Sequence, residues 1–254
     1  MDATLPYQRV ILDIEGTICP ISFVKDELFP YFLDNIPSYI SRFEFPLNDV
    51  QNNTKASNEN MKALEILRQF PDEYQTSEES LLEHIKDLVR RDSKDSILKS
   101  LQGFVWQDGY NSGQIMAPLY EDAIEAMKFW SAILPSGLFI YSSGSVKAQK
   151  LLFGNVKLVS SQGMITRADL NGLISDYFDT VNIGNKRVPE SYAKILEKIG
   201  AAERVLFLSD NPHEVEAAIG AGMTSYIVVR PGNQPLSEDD KRRFKVITHF
   251  QQLF

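Results

Sequence analysis

Apolar positions along this chain follow two different periods. From about Pro20 to Asp108 they recur at helical spacing, as at Leu81, Leu82, Ile85, Leu88 and Val89, which share one face of a helix over residues 77–91. Thr76 and Glu79 predict a capping-box start for that helix. The segment "ILKSLQGFVWQDGY" repeats the helical pattern with Phe104, Trp106 and Tyr110 as core-filling aromatics, and residues 52–60 read as a polar surface loop. After Ala117-Pro118 short apolar runs begin to alternate with amphipathic segments. "LFIYSS", "RVLFLSD" and "TSYIVVR" read as buried strands, as does Val10-Ile11-Leu12 near the start, with residues 178–183 a further short strand. Helices are expected over residues 119–130, from Ser145 to Phe153, from Pro189 to Ile199 and, after "RVLFLSD", through Ala218, while residues 154–177 look strand-poor. Such alternation predicts an α/β fold, a doubly wound parallel sheet covered by helices on both faces and interrupted by a helical insertion over residues 20–115.

Composition narrows the function classes. The chain has 254 residues, 43% hydrophobic and 24% charged, which suits a folded core with an insertion. A net charge of −8 argues against nucleic acid as a partner, because sequence-independent binding needs a basic footprint. Cys19 is the single cysteine, so no internal disulfide forms, and an apolar setting makes it packing rather than a nucleophile. No apolar stretch has transmembrane length and the first residues lack a secretory pattern, so no membrane is expected and the location is cytoplasmic, with the nucleus as a second compartment. No heptad or interface strip stands out, which predicts a monomer. His84, His213 and His249 lack metal-ligand spacing and read as structural or solvated.

Three strands end in polar residues: Asp13 with Glu15, Ser142 with Ser143, and Ser209 with Asp210. In strand geometry Asp13 and Glu15 point to one face, where two like charges repel unless a cation or shared proton relieves them. Ligands of open parallel sheets bind outside the carboxyl ends of the strands, so these three ends converge on one crevice. A serine before a helix is also an ordinary cap, and that reading holds for Ser145.

"DIEGT", "YSSGS", the lysine of "NIGNKRVPESY" and "LFLSDN" resemble, in order, the four signatures of the haloacid dehalogenase superfamily. "DIEGTICPISFVKDELFPYF", "YSSGSVKAQKLLFG", "LQGFVW" and "VVRPGN" further resemble its enolase-phosphatase family, over nearly the whole chain. The resemblance implies a catalytic core of residues 1–19 and 116–254 with a helical cap of residues 20–115. It implies Asp13 as the nucleophile that forms an aspartyl-phosphate and Glu15, where most of the superfamily has Asp, as acid and base. Ser142, Ser143 and Lys186 bind the substrate phosphate; Lys186 is preferred to Arg187 on the motif match alone. Mg²⁺ is the implied cofactor, held by Asp13, Asp210 and the main-chain carbonyl of Glu15, with Glu214 orienting the site. The implied substrate is a small phosphorylated diketone, 2,3-diketo-5-methylthiopentyl-1-phosphate, enolised and then dephosphorylated. Phe23, Phe29 and Trp106 are candidates to hold its methylthio tail. A plain Mg²⁺-dependent phosphomonoesterase is the runner-up. A dehalogenase needs neither Glu15 nor Mg²⁺, and a non-catalytic phosphoprotein-binding module would not retain Asp13, Glu15, Lys186 and Asp210 together.

Overall fold

A computed structural model describes residues 6–49, 52–53, 57–93, 95–134, 137–200 and 204–254. The chain forms two compact units, one of residues 1–23 with 116–254 and one of residues 24–115. Strand β1 (Arg9–Leu12) opens the first unit. The second unit is helical: α1 (Phe29–Ile40), α2 (Asn58–Leu67), α3 (Glu78–Arg90) and α4 (Ser96–Ser112). It has a core of its own, in which Phe32, Ile36, Leu64, Leu81, Ile85, Leu101 and Val105 are almost wholly buried. The cap of α3 lies one residue later than expected. Ser77 rather than Thr76 accepts the amide of Ser80, while Thr76 Oγ1 turns back to Glu73 O. The polar stretch 52–60 also ends early, because Ser57 caps α2 through the amide of Asn60; Thr54, Lys55 and Ala56 lie outside the described residues.

The first unit resumes with α5 (Glu121–Ile133), β2 (Leu138–Ser142), α6 (Val146–Phe153), β3 (Val156–Val159), β4 (Ile165–Ala168) and β5 (Asp176–Asp179). It ends with α7 (Pro189–Ile199), β6 (Val205–Ser209), α8 (Pro212–Gly220), β7 (Thr224–Val228), α9 (Glu238–Arg243) and β8 (Val246–Ile247). Six strands pair in parallel in the order β5-β2-β1-β6-β7-β8. Two expectations fail here. The region after Phe153 holds an antiparallel hairpin, β3 with β4, and the strand placed over residues 178–183 runs instead over Asp176–Asp179. The hairpin escaped notice because Ile165 and Val159 are more than half exposed, so no buried run marks it.

Strands β1, β2 and β6 are buried along almost their whole length, as strands covered on both faces must be. One face carries Ile11, Phe139, Tyr141 and Phe207 against Tyr192 and Ile195 of α7 and Ala217 and Ala218 of α8. Val10 and Leu12 point the other way by the two-residue period, and α5 packs against β2. The Phe207 ring meets Tyr192 edge-on at 5.0 Å, and Tyr192 Oη donates to Lys186 O at 2.8 Å. Packing of this face therefore sets where Lys186 stands. Phe207→Ala is expected to lower the stability of the first unit by about 3–5 kcal/mol, read as a lower urea midpoint; an unchanged midpoint would show that the face repacks without it.

Candidate active site

The sheet order places β1 between the two directions in which the chain is wound: β2 and β5 extend to one side, β6 to β8 to the other. That reversal is where an open α/β sheet leaves a crevice at its carboxyl edge. Asp13 directly follows β1, Ser142 closes β2, and Ser209 closes β6 with Asp210 next. The extended alternation expected for Asp13 and Glu15 does not hold, since β1 stops at Leu12. The backbone instead coils into a turn in which the amides of Thr17, Ile18 and Cys19 all point to Ile14 O and that of Gly16 to Cys19 O. Asp13 is buried, Glu15 is half-buried at the edge of the turn, and Cys19 is fully buried.

Lys186 arrives from the loop between β5 and α7, 173 residues away in sequence from Asp13, and its Nζ donates to Asp13 Oδ1 at 2.6 Å. The same ammonium lies 2.7 Å from Glu214 Oε2 in the first turn of α8. Ser209 Oγ donates to Glu214 Oε2 at 2.8 Å and stands 3.4 Å from Asp13 Oδ2. The Tyr141 ring lies below Nζ at 5.6 Å, with its hydroxyl donating to Gly184 O in the same loop. Arg187 is exposed and Lys186 is 6% exposed, so only Lys186 faces the acids.

Asp210 completes the acidic group. Its amide donates to Thr17 Oγ1 at 3.0 Å, and its carboxylate lies so near the turn that a Cβ on Gly16 would sit 2.4 Å from Asp210 Oδ2. Gly16 also has φ +74°, which a side chain would strain. Asp13 and Glu214 thus share one ammonium, Lys186, with Asp210 beside them. Burial, then Asp13 and Glu214, push the Asp210 carboxyl up to about 7. Burial and Asp13 push Glu214 up to about 7 against the pull of Lys186. Burial alone would lower the Lys186 ammonium, but the Asp13 and Glu214 carboxylates hold it above its ordinary value.

On the β2 side, Ser142 is buried and its Oγ accepts the amide of Gly144 at 3.2 Å, while Ser143 is exposed. Ser145 caps α6 through the amide of Ala148, as its position suggested. Asp179 at the end of β5 accepts the amide of Val146, which anchors the same helix start. Phe23 is buried at 2% within the first unit, and Phe29 stacks on Trp106 at 6.4 Å in the second. His84 stacks on Tyr74, and His213 and His249 are exposed. Among the described residues no three His, Cys, Asp or Glu side chains form a ready metal cage.

A model of the haloacid dehalogenase-like hydrolases matches residues 7–222. The Enolase-phosphatase E1 of Scheffersomyces stipitis is 52% identical over 96% of this chain and 98% of its own length. This chain belongs to the enolase-phosphatases, within the haloacid dehalogenase-like hydrolases. The Enolase-phosphatase E1 of Debaryomyces hansenii is 49% identical over 98% of this chain and 96% of that protein. Among solved structures, the UTR4 protein of Saccharomyces cerevisiae superposes with a TM-score of 0.79 at 46% identity, over 96% of this chain and 99% of that one. CbbY from Rhodobacter sphaeroides, solved in complex with phosphate, shares the fold at a TM-score of 0.54 and 13% identity, over 97% of this chain and 96% of that one. No helix among the described residues is long and apolar enough to cross a membrane.

The raised carboxyls give a pH signature. Between about 4 and about 7 the folded protein keeps protons that the unfolded chain has released, so these groups make stability fall as pH rises. In EDTA, Glu214→Gln, uncharged at every pH, is expected to gain stability relative to wild type as pH rises through that window, followed as the difference in urea midpoint. A difference independent of pH would mean that Glu214 titrates normally.

Proposed function

We propose that this enolase-phosphatase acts in methionine salvage on 2,3-diketo-5-methylthiopentyl-1-phosphate, enolising it and releasing phosphate to leave the acireductone. The observation that carries the reading is the 2.6 Å contact of Lys186 Nζ with Asp13 at the end of the central strand, beside two more carboxylates. A phosphate monoester resists hydrolysis strongly, so catalysis rests on placing the nucleophile and neutralising charge. Lys186 holds Asp13 aligned for attack on phosphorus, with an aspartyl-phosphate as the product of that step. Glu15 gives a proton to the leaving oxygen and then takes one from the water that releases phosphate. Ser142 and Ser143, with the amides at the start of α6, receive the phosphate oxygens. In this reading residues 1–19 and 116–254 are the catalytic core and residues 20–115 the cap, with the Phe29–Trp106 stack the apolar surface for the methylthio tail.

The donor set suits Mg²⁺. Asp13 and Glu214 share one ammonium beside Asp210, the Glu214 and Asp210 carboxyls stay protonated up to about 7 without further positive charge, and Gly16 leaves room for Asp210 where a side chain would block it. Mg²⁺ takes one or two carboxylates and keeps waters, so a cage of three is not required. Asp13, Asp210 and the Glu15 carbonyl would hold it, with Glu214 fixing the lysine between them. When bound it supplies positive charge between nucleophile and phosphate and Lewis acidity for the enolate. The chain acts as a monomer in the cytoplasm, with the nucleus as a second compartment, and takes neither nucleic acid nor membrane as a partner.

Asp13→Ala is expected to abolish phosphate release from the diketo phosphate; full activity in that variant would remove Asp13 as the nucleophile. Lys186→Ala should lower turnover by about a hundredfold or more, as loss of a buried positive group does, and Arg187→Ala by less than about twofold. Equal small effects from both would place the phosphate elsewhere. Release of phosphate without an enol absorbance at any stage would instead favour a plain phosphomonoesterase.

A further inference from the structure

Glu15 reaches its place through a glycine. Gly16 follows it with φ +74°, a conformation in which the backbone gains nothing from a side chain and could swing. The two carbonyls that follow Glu15 are both held from outside the turn. Asn233 Nδ2 donates to Gly16 O at 2.8 Å and reaches Val228 O at 3.3 Å, and Arg230 Nε donates to Thr17 O at 3.0 Å. Thr17 Oγ1 in turn accepts the amide of Asp210. The turn is therefore gripped on one side by the loop after β7 and on the other by the end of β6.

The grip is itself anchored. The Arg230 guanidinium lies 2.9 Å from Asp122 with both side chains 5% exposed, and Arg230 Nη1 donates to Thr248 O at 3.2 Å. It is also packed over the rings of Tyr120 at 4.5 Å and Phe250 at 4.9 Å. Such a buried, multiply bonded arginine holds one geometry. Asn233 is only half-buried, and its partners include the backbone carbonyl of Gly16. The "VVRPGN" segment thus ends in two donors aimed at consecutive carbonyls of the catalytic turn.

We propose that Asn233 and Arg230 are positioning residues for proton transfer by Glu15: by fixing the Gly16 and Thr17 carbonyls they aim the Glu15 side chain at the leaving oxygen. The inference rests on the acid role assigned to Glu15 above. Loss of the Asn233 amide frees the Gly16–Thr17 peptide and lets Glu15 drift, which harms reactions in proportion to their need for a proton.

The test compares kcat/KM for phenyl phosphate, whose leaving phenoxide is basic, with that for p-nitrophenyl phosphate, whose leaving phenoxide is not. This constant covers only the steps through departure of the phenoxide. The ratio of the two, taken on one sample, does not depend on the fraction of folded enzyme. Asn233→Ala is expected to raise the preference for p-nitrophenyl phosphate by about tenfold or more, and Glu15→Gln by a larger factor. Asn233→Ser, too short to reach Gly16 O, carries the same expectation and replaces Asn233→Ala if that variant is insoluble. A preference within about twofold of wild type in the Asn233 variants, with Glu15→Gln strongly shifted, would overturn the positioning role and leave the acid role intact. An unchanged preference in Glu15→Gln would overturn the acid role, and the proposal with it.

Discussion

A single buried ammonium, Lys186, stands between the carboxylates of Asp13 and Glu214, at 2.6 and 2.7 Å. Removing charges from water costs several kcal/mol per ion, and close opposite charges with satisfied hydrogen bonds offset this only in part. The arrangement persists because each member is held by a different element. Asp13 follows the central strand, Glu214 sits in the first turn of α8, and Lys186 is fixed through its own carbonyl by Tyr192. Taking away Lys186 would leave two buried acids, Asp13 and Glu214, facing one another. Taking away an acid would leave Lys186 short of a partner. The geometry is thus mutually dependent, and Asp13 is one part of that dependence.

Sheet topology supplies the distances. With β1 flanked by β2 and β6, the ends of all three strands open on one edge, so groups 129 to 197 positions apart from Asp13 in sequence meet without long excursions. The acids then lie where they repel, and the burial and neighbouring negative charge that raise Asp210 and Glu214 suit a divalent cation, which would offset the charge of an incoming phosphate.

Much of this was legible in the sequence. The buried runs that became β1, β2, β6 and β7 are short, apolar and bounded by breakers, and Pro189 opens α7 at its first position as expected. Asp13, Ser142 and Asp210 could be singled out because they follow or close apolar runs, and Lys186 only by its motif. Lys186 could be preferred to Arg187 only by motif; burial of one and exposure of the other gives the physical reason. What stayed hidden has causes too. The β3–β4 hairpin exposes apolar side chains and lacks a buried period, and the true cap of α3 was one of two adjacent hydroxyl residues. That Ser142 is buried at the end of β2 while Ser143, just past it, is exposed could not be told from their adjacency. The roles of Arg230 and Asn233 act through main-chain carbonyls some 213 and 217 residues away, a contact that leaves no trace in side-chain pattern.

The central claim is that the phosphoryl group passes through the carboxylate of Asp13. Its most direct measurement is peptide mass spectrometry on acid-quenched turnover of p-nitrophenyl phosphate by wild type and by Glu15→Gln, in which loss of the proposed base is expected to slow release from the enzyme. The account predicts a hydroxylamine-labile phosphate that fragmentation places on Asp13, more abundant in Glu15→Gln. Phosphate found on another residue, or turnover with no protein-bound phosphate in either enzyme, would contradict it.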